Sequence, residues 1–238
     1  MFHVKRRGVA MQVSRETPKA IWDPETKLTP HQWAQLETYA RLLQTLGRRH
    51  NLVSRETLQD VYRRHILHCL ALAWRAFPPG SVVVDWGTGG GLPAIPLAIA
   101  FPDITVHAIE AVQKKVLAVR TMIRQLGLSN LQVHHARAET WMGSAHYSVS
   151  RATAPLSVLW KWHRRIAQPQ IPLPESWKPG LLTFKGGDLA AELAALERLD
   201  ACVSVTLIPL AALLGDAYFT DKYLVQVIPE PEGMASVR

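Results

Sequence analysis

The chain has 238 residues, with 27 Lys and Arg against 19 Asp and Glu, and so carries a formal charge of +8. Its 48% hydrophobic and 19% charged residues are the composition of an ordinary globular protein, which excludes a collagen-like, disordered or coiled-coil chain. The longest apolar stretch, Gly91 to Phe101, is broken by Pro93 and Pro96 and falls short of the ~20 residues a membrane-spanning helix needs. Lys5, Arg6, Arg7, Arg15 and Lys19 have no apolar run behind them, so no secretory signal is expected. Two cysteines, Cys69 and Cys202, sit far apart in sequence and form neither a disulfide framework nor a zinc motif, so a reduced, cytoplasmic protein without membrane association is expected. The positive balance favours a polyanionic partner, nucleic acid above all.

Residues 1–27 read as an irregular basic leader, 28–79 as a helical region and 80–238 as the main domain. Thr29, Pro30 and Gln32 supply an N-cap, a proline at the first helical position and a capping-box partner, with Leu28 and Trp33 placed as a hydrophobic staple. Trp33, Leu36, Ala40, Leu43 and Leu46 recur at helical spacing, and Gly47 is the expected stop. A second helix is expected over 57–76, burying Tyr62, Ile66, Leu70, Ala73 and Phe77 before Pro78, Pro79 and Gly80 end it.

From Ser81 onward, short β-branched runs alternate with helical stretches, the pattern of a doubly wound, mostly parallel α/β sheet. The expected strands are Val82–Asp85, Ile104–Ile109, Leu131–His135, Tyr147–Ser150, Leu181–Phe184, Val203–Ile208 and Lys222–Ile228. Helices are expected over 93–100, 112–126, 155–167 and 188–198, with a loop over the Pro-rich stretch 169–179. Ligands of such sheets collect at the carboxyl ends of the strands.

The first of these strands runs through Asp85 into Trp86-Gly87-Thr88-Gly89-Gly90-Gly91. Glycines there permit backbone conformations and a close ligand approach that a Cβ would block. Asp85 precedes the first glycine by two positions, and Glu110 closes the next strand where ribose hydroxyls are usually held. Two cofactors compete for such a loop. Dinucleotide enzymes carry a third glycine where this chain has Leu92, and an acid at the loop entrance repels phosphate but suits the ammonium of S-adenosylmethionine. The loop therefore favours the methyl donor.

Several blocks between about Asn51 and Gly186 resemble one family, in order and in spacing. They are His50-Asn51-Leu52, Arg64-His65-Ile66-Leu67, Asp85-Trp86-Gly87-Thr88-Gly89-Gly90-Gly91-Leu92-Pro93, Lys114-Lys115-Val116, Arg137-Ala138-Glu139, Ser150-Arg151-Ala152 and Lys185-Gly186. The chain resembles the bacterial 16S ribosomal RNA guanine-N7 methyltransferases, formerly called glucose-inhibited division protein B. The resemblance implies a Rossmann-like, class I methyltransferase domain with an N-terminal helical extension. It implies that Gly87, Leu92, Ala138, Glu139 and Arg151 contact S-adenosylmethionine, to which the loop reading adds Asp85, Gly89 and Glu110. It also implies that Asn51, His65 and Lys185 lie around the transfer site with Arg151. The chain departs from the pattern at four places: His68 stands where an acid is usual, Ala94 where glycine is common, Trp86 for a small aliphatic residue, and Glu110 for aspartate.

Guanine N7 has an available lone pair and no proton, so its methylation requires placement and electrostatics but no general base. Ideal placement supplies at most about 7 to 11 kcal/mol. Arg151 suits donation to guanine O6 or to phosphate. The pairs Arg48-Arg49 and Arg63-Arg64, with Lys114-Lys115, Lys161 and Arg164-Arg165, read as solvated faces or as a phosphate-binding surface; Arg48, Arg49, Arg63 and Arg64 are the RNA-binding candidates. Trp160 and Trp162 beside the last group favour packing over base stacking. His50, His65 and His68 lack a completing ligand beyond Cys69, so no metal is expected. The reading is a monomeric methyltransferase acting on ribosomal RNA or the small subunit, with a methyltransferase of a small molecule or protein as the alternative.

Overall fold

The computed structural model describes residues 11–54 and 59–230. Its strands are β1 (Gln12–Arg15), β2 (Val82–Trp86), β3 (Thr105–Glu110), β4 (Leu131–His135), β5 (Tyr147–Arg151), β6 (Gly180–Gly186), β7 (Val203–Pro209) and β8 (Lys222–Pro229). They form one sheet in the order β1-β7-β8-β6-β5-β2-β3-β4, parallel except for β8, which runs antiparallel between β6 and β7. The strand order turns at β2 and β5. Chain leaving β2 proceeds to β3 and β4 on one side, whereas β5 and β6 lie on the other, so a crevice opens at the carboxyl ends of β2 and β5.

The run Val82-Val83-Val84 is apolar on both faces because both faces are covered. Val83 enters one core cluster with Leu36 and Leu43 of α1 (Pro30–His50), Ile95 of α3 (Ala94–Ala100) and Val119 of α4 (Gln113–Leu126). Val84 and Trp86 enter the other, with Leu159 of α5 (Leu156–Ile166) and Leu196 of α6 (Ala190–Leu199). Every strand and helix expected after Ser81 is present, with no end displaced by more than two residues. A short helix between β7 and β8, α7 (Leu210–Leu214), was not foreseen.

The capping box of α1 forms as expected: the Thr29 hydroxyl accepts from Gln32 N at 3.3 Å, and Gln32 Oε1 accepts from Thr29 N at 2.8 Å. Gln32 Nε2 also donates to the Ile99 carbonyl at the end of α3, 2.8 Å away, so one side chain caps one helix and ties it to another. The helix runs past Gly47 to His50 and stops at Asn51, whose φ of 51° is a left-handed conformation that asparagine tolerates. Arg48, Arg49 and His50 in the last turn suit the negative end of the helix dipole. Tyr39, fully buried, donates its hydroxyl to the Gly90 carbonyl at 3.0 Å and so anchors the glycine loop to α1.

Three expectations need correction. Residues 1–27 are not an irregular leader throughout, because Gln12–Arg15 forms β1 on the edge of the sheet beside β7. Its side chains are exposed, so no apolar alternation marked it. The rest of the leader's start, including Lys5, Arg6 and Arg7, lies outside the described residues. The expected start of the second helix at Thr57 also lies outside them. From Tyr62 the segment is a π-helix to Leu67, a single α-turn, α2 (His68–Leu70), and a 3-10 turn over Ala71–Trp74. Ile66, Leu70 and Phe77 are buried, whereas Tyr62 is 43% exposed. The wider π-turn takes Tyr62 out of register with the apolar positions that follow.

Tyr39→Phe removes the only side-chain donor to the Gly90 carbonyl among the described residues. Leaving that group unsatisfied is expected to cost about 1–3 kcal/mol in urea denaturation, with an unchanged m-value.

Candidate active site

β2 delivers the chain into the glycine loop, whose first two amides, Gly87 N and Thr88 N, both donate to the Ile109 carbonyl of β3 at 3.0 Å. Gly87 adopts φ 72°, and a Cβ built on it would stand 2.6 Å from Thr153 Cγ2. The Thr153 hydroxyl in turn donates to the Trp86 carbonyl at 2.8 Å, so the ends of β2 and β5 are sewn together where only glycine fits. Glu110 braces the loop from β3: Oε2 accepts from Gly89 N at 3.0 Å and Oε1 from Val112 N at 2.9 Å. Leu92 is buried behind the loop, and its amide donates to the Thr88 carbonyl at 2.9 Å.

Asp85 is fully buried beneath this turn and lines neither cavity at the sheet end. Its Oδ2 accepts from Ala94 N at 3.2 Å, at the start of α3. Burial pushes its carboxyl up to about 7, against the opposing pull of the nearby Thr88 hydroxyl, the Ala94 N–H and Arg151. Neither Asp85 Oδ1 nor Thr88 Oγ1 completes a well-aligned hydrogen bond.

Two cavities adjoin at the strand ends. One, of about 310 Å³, is bounded by Gly87, Glu110, Ala138, Glu139, Thr153 and Trp162. Arg165 fixes its far wall by donating to the carbonyls of Ala138 at 2.6 Å, Glu139 at 2.5 Å and Trp141 at 3.0 Å. The other, of about 540 Å³, is bounded by Arg64, His65, His68, Arg151, Lys185 and Lys222 among others. Ala152 and Thr153 belong to both walls. Ala152 has φ 55°, a strained conformation for a residue with a Cβ, and it turns the chain at the junction.

The second cavity is built around a guanidinium. Arg151 Nη2 donates to His65 Nδ1 at 2.5 Å, and Nη1 reaches the Arg64 carbonyl at 3.5 Å and Cys69 Sγ at 3.8 Å. Burial, then the charges of Arg151 and Arg64, lower the His65 imidazole to about 3, so it is a neutral acceptor at physiological pH. Burial likewise raises the Cys69 thiol to about 11 and keeps it protonated. His68 is also held neutral, by burial first and by Arg151 and Lys222 next, with its ring edge-on to Phe184. Lys185 Nζ donates to the Ala154 carbonyl and pairs with Glu192, both at 2.7 Å. Glu192 in turn accepts from Leu156 N at 2.7 Å.

The structure thus brings Gly87, Glu110, Ala138 and Glu139 to one cavity and Arg64, His65, Arg151 and Lys185 to the other. Asp85, Gly89 and Leu92 form the loop and its backing. Asn51 is exposed at the end of α1, where it leads into Leu52 against Gly89 and Gly90, and it does not line the second cavity. Arg48 and Arg49 are exposed on the same helix end. Arg63 is taken up by Asp216, with both of its contacts at 2.5 Å. Sequence reasoning did not single out Thr153, Trp162 as a cavity wall, Glu192, Tyr218 or Lys222. Thr153 directly follows Ser150-Arg151-Ala152 in the chain; nothing in the local sequence marks Tyr218 or Lys222.

A family model described as rRNA small subunit methyltransferase G (GidB) matches residues 32–204. The chain belongs to that family. The ribosomal RNA small subunit methyltransferase G of Salinibacter ruber is 51% identical over 209 residues, covering 87% of this chain and 97% of the relative. That of Cytophaga hutchinsonii is 36% identical over 173 residues, covering 72% and 82%. Among solved structures, a ribosomal protein L11 methylase from Lactobacillus delbrueckii subsp. bulgaricus superposes with a TM-score of 0.51 at 14% identity, covering 69% of this chain and 77% of that one. Aeropyrum pernix fibrillarin does so at 0.50 and 13%, covering 69% and 75%. These likenesses show the fold of class I methyltransferases. The family match takes in the glycine loop, Arg151 and Lys185 of this small-subunit rRNA methyltransferase, and it ends before Tyr218 and Lys222.

Asp85 yields a pH test. Its folded carboxyl holds a proton more tightly than the unfolded one, so its contribution to stability is greatest below about pH 4 and is lost as pH rises through about 7. Melting the protein from pH 4 to 8 beside Asp85→Asn should show the wild type losing ground on the neutral variant, on the order of a few kcal/mol; a constant difference contradicts the raised carboxyl. In the same loop, Gly87→Ala forces a Cβ against Thr153 and is expected to weaken cofactor binding at least ten-fold by calorimetry.

Proposed function

We propose that this chain transfers the methyl group of S-adenosylmethionine to N7 of a guanine in 16S ribosomal RNA. The observation that carries the reading is the placement of Arg151 on the wall of the second cavity, beside Ala152 and Thr153, which line both cavities, with its guanidinium held by a neutral His65. The residues of the first cavity fit the cofactor. Gly87 turns the chain along the cavity wall with φ 72° and no side chain, Glu110 closes β3 where ribose hydroxyls are held, and the loop at Ala138 and Glu139 is fixed from behind by Arg165. Asp85, Gly89 and Leu92 shape the cradle from beneath. When bound, the cofactor supplies an electrophilic methyl group on a positively charged sulfur.

What the chain supplies is placement. A general base for a proton-bearing nucleophile should keep a pKa near the working pH. His65 at about 3 is too weak a base and already accepts from Arg151. Glu192 is engaged by Lys185 and the Leu156 amide, and Asp85 lies outside the second cavity. Guanine N7 brings a lone pair and no proton, so it needs none of them. Arg151 donates to the O6 acceptor beside N7, Lys185 adds a second cation, and Asn51 ends α1 so that Leu52 lies against the loop. Arg48, Arg49 and Arg64 supply contacts to phosphate, with Arg63 the least available because Asp216 holds it. The protein is read as a monomer acting in the cytoplasm, in keeping with its two unpaired cysteines. No helix among the described residues is long and apolar enough to cross a membrane.

The test is to incubate the chain with labelled cofactor and unmodified small subunits or their RNA, and to map the labelled base. Label at guanine N7 is expected, and label on protein or a small metabolite would overturn the reading. Arg151→Ala is expected to lower transfer at least 100-fold while lowering the melting temperature by only a few degrees, the cost of its lost hydrogen bonds, and Arg151→Lys to restore little transfer because a single ammonium lacks the planar fork. Near-normal transfer by either variant would remove Arg151 from the site.

A further inference from the structure

Tyr218 lies between α7 and β8 and Lys222 opens β8, both beyond the residues that the family model matches. Because β8 is antiparallel, its first residue returns to the carboxyl end of the sheet, where Lys222 pairs with Gly186 at the end of β6. Both residues line the second cavity. Lys222 Nζ lies 3.6 Å from the centroid of the Tyr218 ring, and the guanidinium carbons of Arg63 and Arg64 each lie 5.1 Å from it. One half-buried ring therefore gathers three cations from two distant segments.

The neighbouring carboxylates do not balance them equally. Asp216 binds Arg63 through both oxygens and also accepts from Tyr218 N at 2.9 Å, so Arg63 ties the turn to the π-helical segment. Asp60 stands 3.8 Å from Arg64 Nε, which has no hydrogen-bond partner. Lys222 has no ion pair within 4.0 Å among the described residues; its ammonium lies over the rings of Tyr218 and Phe219, and Asp216, already bound by Arg63, is near enough to feel its charge. Along the cavity wall Arg64, Arg151, Lys185 and Lys222 face a single lining carboxylate, Glu192, which Lys185 already engages. A cavity with that surplus takes an anion, and a planar neutral base alone leaves it uncompensated.

We propose that Lys222 and Arg64 form a phosphate-binding site for the RNA backbone at the mouth of the second cavity, with Tyr218 as the positioning residue that holds both cations. The proposal rests on the reading of this chain as an RNA methyltransferase and adds to it a segment outside the family match. Arg63, a sequence candidate for RNA contact, is the tie that holds the site's two halves together.

The test is the salt dependence of binding of the full chain to an unmodified 16S ribosomal RNA transcript, with binding of S-adenosylhomocysteine measured alongside. Lys222→Gln is expected to lower the slope of log affinity against log salt by about 0.7 to 0.9, the loss of one phosphate contact. Lys178→Gln, which removes the same charge from an exposed position at the opposite end of β6, is expected to do so less or not at all. Tyr218→Leu is expected to weaken RNA binding several-fold and Tyr218→Phe to restore it, because the ring and not the hydroxyl gathers the cations. S-adenosylhomocysteine affinity should stay unchanged throughout. If the unaltered chain binds the RNA with a steep salt slope and Lys222→Gln leaves that slope as it was, the proposal falls and the methyltransferase reading stands. If the unaltered chain shows no salt-dependent binding of RNA, this proposal falls, and the mapping of the labelled base decides the methyltransferase reading separately.

Discussion

The hydrogen bond from Arg151 to His65 joins the end of a central strand to an irregular helical segment that precedes the sheet in sequence. A guanidinium at a strand end would otherwise sweep a wide volume on a flexible stem. Here it is fixed by a neutral imidazole, a backbone carbonyl and a thiol, all acceptors that leave its charge intact. The same charge helps to keep His65 and His68 neutral. The remaining architecture puts this cation in register with the glycine loop, through the contact of Gly87 with Thr153 and the hold of Tyr39 on Gly90.

The two acids of the loop serve geometry more than charge. Glu110 spends both oxygens on backbone amides, which sets the position of Gly89 and the start of α4. Asp85, buried and raised toward neutrality, braces the start of α3. A site that aligns a nucleophile lacking a proton with a charged methyl donor needs rigid walls and donors for the base. It does not need a group that shuttles protons, and the neutral histidines and engaged carboxylates around Arg151 match that demand.

Much of this was legible in the sequence because it is local. The valine run, the glycines after it and the acid closing the next strand identify the loop without any long-range information, and every strand after Ser81 announces itself by β-branched residues. What was not legible comes from distance or from the absence of a pattern. β1 is the exposed tetrapeptide Gln-Val-Ser-Arg, recruited by backbone pairing with β7 and not by any apolar face. The π-helical turn at Tyr62–Leu67 keeps the apolar spacing of an ordinary helix closely enough to pass for one. Asp85 looked like a ligand contact because of where it stands in the motif, yet the side chain points beneath the loop. Lys222 and Tyr218 reach the cavity only through the antiparallel return of β8, which brings together residues that no short window contains.

The most direct measurement of the central claim is the charge state of His65 in the intact protein, read by nitrogen-15 NMR of the histidine rings across pH 5 to 8. A neutral ring throughout, with Nδ1 as the unprotonated acceptor of the Arg151 hydrogen bond, is the expected result. A titration of His65 centred between pH 6 and 7 would show a ring free to take up protons beside Arg151, and would contradict a site that works by placement alone.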